Sequence, residues 1–232
     1  MTRTSVPARR GRPWPARMGD AGAWLWAGAV APLLLAAAIV WDTVREPSVS
    51  AGRQSISLLS EGARGGVLRG AEVLSGVLVL LFAWSLSHRP GIGRALWRAE
   101  MGVGVGLALS GLFIEQHLPL PGAFRVPSPW GYLTRVGMVH IGAACLLYVS
   151  LLVAALAAAR QPAPGAGRRL RLVSTVAALL LAALLTAFVA VANGGGPSGW
   201  FERAAALVAI AWQEALCLSL ARRFRTVNPT IL

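Results

Sequence analysis

The sequence predicts an all-α membrane protein, a polytopic bundle of six transmembrane helices, and three observations carry that reading. Six apolar stretches recur along the 232 residues, each near the roughly 20 residues a helix needs to cross about 30 Å of hydrocarbon. None alternates polar and apolar residues as a barrel strand does. In lipid only helices and closed barrels satisfy every backbone N–H and C=O internally, so helices remain. Charge is also scarce: 13% of residues are charged and 56% hydrophobic, about half the charged share of a soluble domain. Six spans and their connections use nearly the whole chain and leave no room for a separate soluble domain.

The spans are read as Ala21–Trp41, Leu68–Ser87, Met101–Ile114, Leu133–Ala159, Leu172–Ala192 and Trp200–Ala221. They give a basic N-terminal segment at 1–20, a transmembrane domain at 21–223 and a short tail at 224–232. The first segment, rich in arginine with Pro7, Pro13 and Pro15, is expected to be disordered. Arg9 and Arg10 before an apolar run resemble an export signal. That run is longer than a signal core, however, and ends Val40-Trp41-Asp42 without a small-x-small site, so span one is expected to be retained. Trp24 and Trp41 mark its two ends, about 25 Å apart at 1.5 Å per residue.

In the connection after span one, Ser57, Ser60, Glu61 and Arg64 share a helical face, and Gly65-Gly66 ends the segment. It predicts a short helix in the outer interface or folded over the bundle mouth. Span three is short, and Gly102, Gly106 and Ser110 repeat every four residues. Such a small-residue stripe admits a neighbouring helix closely, as lipid supplies no hydrophobic force between spans, and it predicts a central position. The next connection carries Pro119, Pro121, Pro127 and Pro129 and reads as an irregular cap. Trp97, Trp130 and Trp200 precede spans three, four and six as interface anchors. Trp212 lies mid-span and is expected to pack inside.

All 22 basic residues are arginine, against nine acids, for a formal charge of +13. Fifteen fall at the N-terminus, between spans two and three, between spans four and five, or after span six; seven fall in the alternate positions. The positive-inside rule then places both termini in the cytoplasm. The charge reads as a topology signal meeting anionic headgroups, not as a nucleic-acid surface. The two cysteines, Cys145 and Cys217, fall inside spans without CxxC spacing and read as small packing residues.

The stretch Ser55–Gly66 leads into a span; Gly111-Leu112-Phe113 leads to the acid Glu115. His140 lies within span four, and Gly199-Trp200-Phe201-Glu202-Arg203 opens span six. In these short motifs, taken in order from Trp24 to Arg223, the chain resembles a prokaryotic membrane family known as domain of unknown function 998. The resemblance implies a six-helix fold and no activity. Relatives often carry aspartate where this chain has Glu115, which departs from the family pattern.

Ionisable groups within spans cost about 2.5–3.5 kcal/mol each at the bilayer centre on insertion scales, so they are the first candidates for function. Glu72 has Arg69 three residues before it, and mutual neutralisation competes with a ligand role. Glu214 is the deepest by position; with no base within a turn, it is either neutral or paired across the bundle, with Arg98 or Arg171 nearest by depth. His140 stands alone on an apolar face. The catalytic candidates are therefore His140, Glu115 and Glu72. The ligand-binding candidates are Ser57, Ser60, Glu61, Arg64, Glu72, Glu115, Arg135 and His140, all on the outer side. His117 and the pair Glu202 and Arg203 fall on that side too. The competing reading is that these groups only stabilise the loop cap.

No second intramembrane histidine stands ready for haem, and no three strong ligands for zinc, so no metal or cofactor is expected. A serine–histidine arrangement of Ser55, Ser57 or Ser60 with His140 or His117 can be drawn, but no GxSxG elbow surrounds any of them. Nucleotide motifs and HExxH are absent. Three readings follow. The first is a non-enzymatic membrane protein whose outward-facing polar pocket takes a lipid-like or isoprenoid ligand, or a membrane partner. The second is a membrane enzyme doing acid–base chemistry on a hydrophobic substrate; the third is a small transporter. Expected partners are membrane lipid, a hydrophobic small molecule or another membrane protein, and not nucleic acid.

Overall fold

Apolar runs that must satisfy their own backbone fold here into six helices that pack side by side. The computed structural model describes residues 19–45, 50–61, 65–114, 135–161, 167–194 and 196–227. Its elements are α1 (Gly19–Arg45), a 3-10 turn η1 (Ile56–Glu61), α2 (Gly66–Ser87), α3 (Arg94–Leu112), α4 (Arg135–Ala159), α5 (Gly167–Asn193) and α6 (Gly199–Val227). No strand occurs among the described residues. Residues 1–18 of the predicted basic segment 1–20, the end of the tail at 228–232 and the proline-rich cap lie outside the described residues, while 19 and 20 already belong to α1.

Five helices, α1, α2, α4, α5 and α6, are long and apolar enough to cross a membrane. The sixth, α3, begins at Arg94, seven residues before the apolar run suggests. Hydropathy stops at Arg94, Arg98 and Glu100, but Leu96, Ala99, Glu100 and Val103 are buried at helical spacing, so the helix continues through the charges. At 19 residues it is about 28 Å long, enough to reach from one face of the bundle to the other.

Each helix packs on its sequence neighbours, and α6 closes the ring on α1. At one face, the capped face, where α1 and α3 end and α2, α4 and α6 begin, η1 packs on α1, α2 and α6 and meets α4 through His140. The opposite, terminal face carries the start of α1 and the end of α6. There Arg89, just after α2, stacks on Phe224 near the end of α6 at 4.8 Å, and Gln161 after α4 accepts the Gly93 N–H ahead of α3 at 3.1 Å. The turn between α2 and α3 uses Gly91 at φ +75°, a conformation open to glycine at little cost.

The thinnest stave of the ring is α3. A Cβ on Gly106 would lie 2.7 Å from the Leu147 backbone nitrogen of α4, and one on Gly76 of α2 would lie 2.6 Å from the Ala108 nitrogen. The expected stripe therefore does admit α4, and a second run through Gly104 and Gly111 admits α2. The expectation that α3 sits centrally gives way to a ring arrangement, with the centre occupied by a cavity. Only 17% of the apolar window of α5 is buried, against 39–44% for the other four spans, so α5 faces lipid most. It is tied in by Trp212 of α6, which is buried and donates its indole N–H to Ser174 Oγ at 3.1 Å. Cys145 is exposed and Cys217 buried, both as free thiols.

Candidate functional site

Helix ends inside a membrane leave backbone groups that must find partners, and polar side chains at the capped face supply them. Asp42, in the last turn of α1, accepts the Leu68 N–H in the first turn of α2 at 3.1 Å. Arg69 donates from Nε to the Gly111 carbonyl at the end of α3, 3.3 Å away. Arg203 donates from Nη1 to the carbonyls of Gln54 (2.7 Å) and Gly199 (3.3 Å). Glu202 accepts the Ile56 N–H that opens η1 at 2.6 Å, and the Tyr148 hydroxyl of α4 at 3.3 Å.

His140 is the joint of this face. Six residues into α4, it is 1% exposed. Its Nδ1 lies 2.6 Å from the Phe113 carbonyl and 3.1 Å from that of Ser110, both at the end of α3. Carbonyls only accept, so Nδ1 carries the proton. Nε2, 3.0 Å from Ser57 Oγ of η1, is left to accept the serine hydroxyl in the neutral ring. One ring thus joins α3, α4 and η1.

Beneath η1 a partly open cavity of about 100 Å³ runs along the bundle axis. Its polar end is formed by Ser57, Glu72, Ser110, His140, Tyr148 and Glu202. Its body is apolar, with Leu35, Ile39, Val79, Val103, Leu107 and Leu147 among the lining residues. From Glu202 the α6 wall continues through Ala206, Ala209 and Ile210 to Gln213, about 16 Å deeper at 1.5 Å per residue. Pro32 of α1 lines the wall as well.

Of the residues singled out from sequence, Ser57, Glu72 and His140 meet in this cavity. Ser60 is buried but turns its hydroxyl onto the Ser57 carbonyl at 2.6 Å, holding the turn instead of lining the space. Glu61 and Arg135 are exposed and do not line it. The shared polar face drawn through Ser57, Ser60 and Glu61 is thus split, because the 3-10 winding buries Ile56, Leu59 and Ser60 together. Arg64, Glu115 and His117 lie outside the described residues. Arg69, three residues before Glu72, donates from Nε to the Gly111 carbonyl, and Glu72 Oε2 is buried without a hydrogen-bond partner.

Sequence reading missed Tyr148, Ser110 and Gln213, and left Glu202 without a site role. The spacing Glu202, Ala206, Ala209, Ile210, Gln213 marks one helical face with a polar group at each end, a signal that was available. It also placed Glu214 deepest, whereas Glu100 is fully buried and accepts the Gln213 side-chain N–H at 3.0 Å. Glu214 is half-buried, and its suggested partners Arg98 and Arg171 are exposed. Arg98 instead lies 5.4 Å over the Trp97 ring. No group of three or more His, Cys, Asp or Glu able to hold a metal occurs among the described residues.

No curated protein and no solved structure matches the chain. A family model described as protein of unknown function (DUF998) matches residues 29–219, from within α1 to within α6 and so across every cavity-lining helix. The sequence motifs, the six-helix membrane bundle and this match agree, and the chain belongs to the DUF998 family.

Proposed function

We propose that this membrane protein binds a lipid-like amphiphile, its polar end at the capped face and its first carbons in the cavity. The supporting observation is the shape of that space: six polar residues gathered at one end and an apolar wall below them. Pockets of this kind bind apolar bodies and orient them with a few polar groups. About 100 Å³ takes the head of such a molecule and a short length of chain, with the rest lying outside the cavity. Extraction of the purified protein and mass spectrometry of the extract test the reading. An amphiphile should co-purify with the wild type and be depleted in Ala209→Phe, which fills the cavity, while the variant remains folded. Wild-type protein yielding no bound amphiphile would sink it.

The orientation belongs to the same proposal: the capped face outside and the terminal face in the cytoplasm of a prokaryotic cell. The fifteen-to-seven division of arginines supports it.

A second reading, acid–base or nucleophilic chemistry on a bound amphiphile, has one observation in its favour. Ser57 Oγ stands 3.0 Å from His140 Nε2, the contact by which a base activates a serine, and both line the cavity. A long-chain fluorophosphonate should then label Ser57, and His140→Ala should abolish the labelling. Absence of wild-type labelling would leave the pair as the joint between η1 and α4.

A further inference from the structure

The polar end of the cavity is rich in hydrogen-bond acceptors. Among the described residues, two carboxyl groups, Glu72 and Glu202, line it, and no arginine does. The two arginines nearest in sequence, Arg69 and Arg203, do not line it: Arg69 donates to the Gly111 carbonyl, and Arg203 donates from Nη1 to the capped face while its Nε and Nη2 stay buried without partners. Several local donors are already used: the Tyr148 hydroxyl and the Ile56 N–H both go to Glu202, and His140 Nδ1 goes to the end of α3.

Within this setting Glu72 is 8% exposed and lines the cavity, with Oε2 buried and unpartnered. Ser110 Oγ, 4% exposed and also in the lining, is likewise unpartnered. A buried acceptor left unmade is costly, and a ligand that supplies a donor removes that cost. A phosphate or carboxylate head would add acceptors to a site whose described lining already holds two carboxyl groups.

We infer that the amphiphile's head is a hydrogen-bond-donating cation, a primary ammonium on a single alkyl chain, held by Glu72 Oε2 with Ser110 Oγ as a second acceptor. This rests on the binding reading above and names the ligand class for the same cavity. The ammonium has three donors and no acceptor, which matches two unpartnered acceptors beside a second carboxyl. Glu72 is the specificity-determining residue, and the apolar wall recognises only the chain.

The test uses the full chain in phosphatidylcholine vesicles with three photo-crosslinking probes of one chain length: diazirine-bearing dodecylamine, dodecanol and dodecanoate. Adducts are located by peptide mass spectrometry. The amine should label cavity residues such as Leu107 and Ile210 about ten- to a hundredfold more than the carboxylate, the range of a hydrogen bond to a charged group. In Glu72→Gln the amine should fall to the level of the alcohol, while alcohol labelling persists. Carboxylate labelling equal to or above the amine in the wild type, a comparison that needs no variant, would overturn the head-group assignment and leave the cavity reading standing. So would an amine preference undiminished in Glu72→Gln. If none of the three labels the cavity while lipid-facing residues such as Leu179 are labelled, the binding reading itself fails, and the assignment with it.

Discussion

His140 carries more connections than its lone appearance in an apolar helix suggests. Its ring is the shared partner of two carbonyls that α3 leaves over at its end and of the Ser57 hydroxyl on η1. In His140→Ala those carbonyls and that hydroxyl lose their buried partner, at roughly 1–3 kcal/mol per unsatisfied group. The expected result is faster backbone hydrogen exchange in 56–61 and at the end of α3, with α2 still protected. Unchanged exchange in 56–61 would show that other contacts hold η1. Glu202 gives a graded companion test. Glu202→Gln keeps an acceptor oxygen for the Ile56 N–H, whereas Glu202→Ala removes it, so thermal stability should fall from wild type to Gln to Ala; a reversed order would refute the contact. His140 was legible in the sequence because an imidazole in an apolar span needs an explanation. The contact of Glu202 with η1 was not, because it depends on a backbone N–H 146 residues away, whereas the spacing from Glu202 to Gln213 discloses only a shared helical face.

Among the elements, α3 shows what spacing can and cannot disclose. The repeat of Gly102, Gly106 and Ser110 announced a close helix contact, since only small residues let spans approach on dispersion alone. Which helix would come close was not written there. It is α4 on this stripe and α2 on the one through Gly104 and Gly111, so α3 is gripped from both sides. Gly106→Ala should therefore destabilise the bundle by about 1–3 kcal/mol, the usual cost of overpacking, because its Cβ would meet the Leu147 backbone at 2.7 Å. Gly142→Ala on α4 is the control. Nothing lies within 4 Å of its Cβ, and the gain in helix propensity is about 1 kcal/mol. Thermal unfolding of the two variants in the same detergent should move in opposite directions; a Gly106→Ala protein as stable as wild type would show that α3 and α4 are not in backbone contact. The beginning of α3 was illegible for a simpler reason. Glu100 interrupts the apolar run, and the Gln213 side chain that donates to it lies on another helix.

For the molecule as a whole, the number of helices and their membrane setting followed from the apolar runs, while the ring and its cavity did not. A cavity is a property of several helices at once, and one helix's periodicity cannot say which faces will share it. Six crossings do fix a consequence that can be checked without any ligand. The start of α1 and the end of α6 lie on one face, since Arg89 and Phe224 stack there while Asp42 and Leu68 meet at the other. Lipid gives no hydrophobic preference between the two faces, so orientation rests on charge, and the clustered arginines 89, 94 and 98 together with 222, 223 and 225 belong to the terminal face. Translocating an arginine-rich segment against the membrane potential costs about 2.3 kcal/mol per charge per 100 mV, which favours retaining that face in the cytoplasm. Compartment-specific reporters placed after Leu232 and between Pro119 and Pro129 should therefore report opposite sides, with the C-terminal one cytoplasmic. Both on one side would remove a crossing and break the ring. Opposite sides with the C-terminus outside would keep the fold, but would turn the cavity mouth and its carboxyl groups toward the cytoplasm.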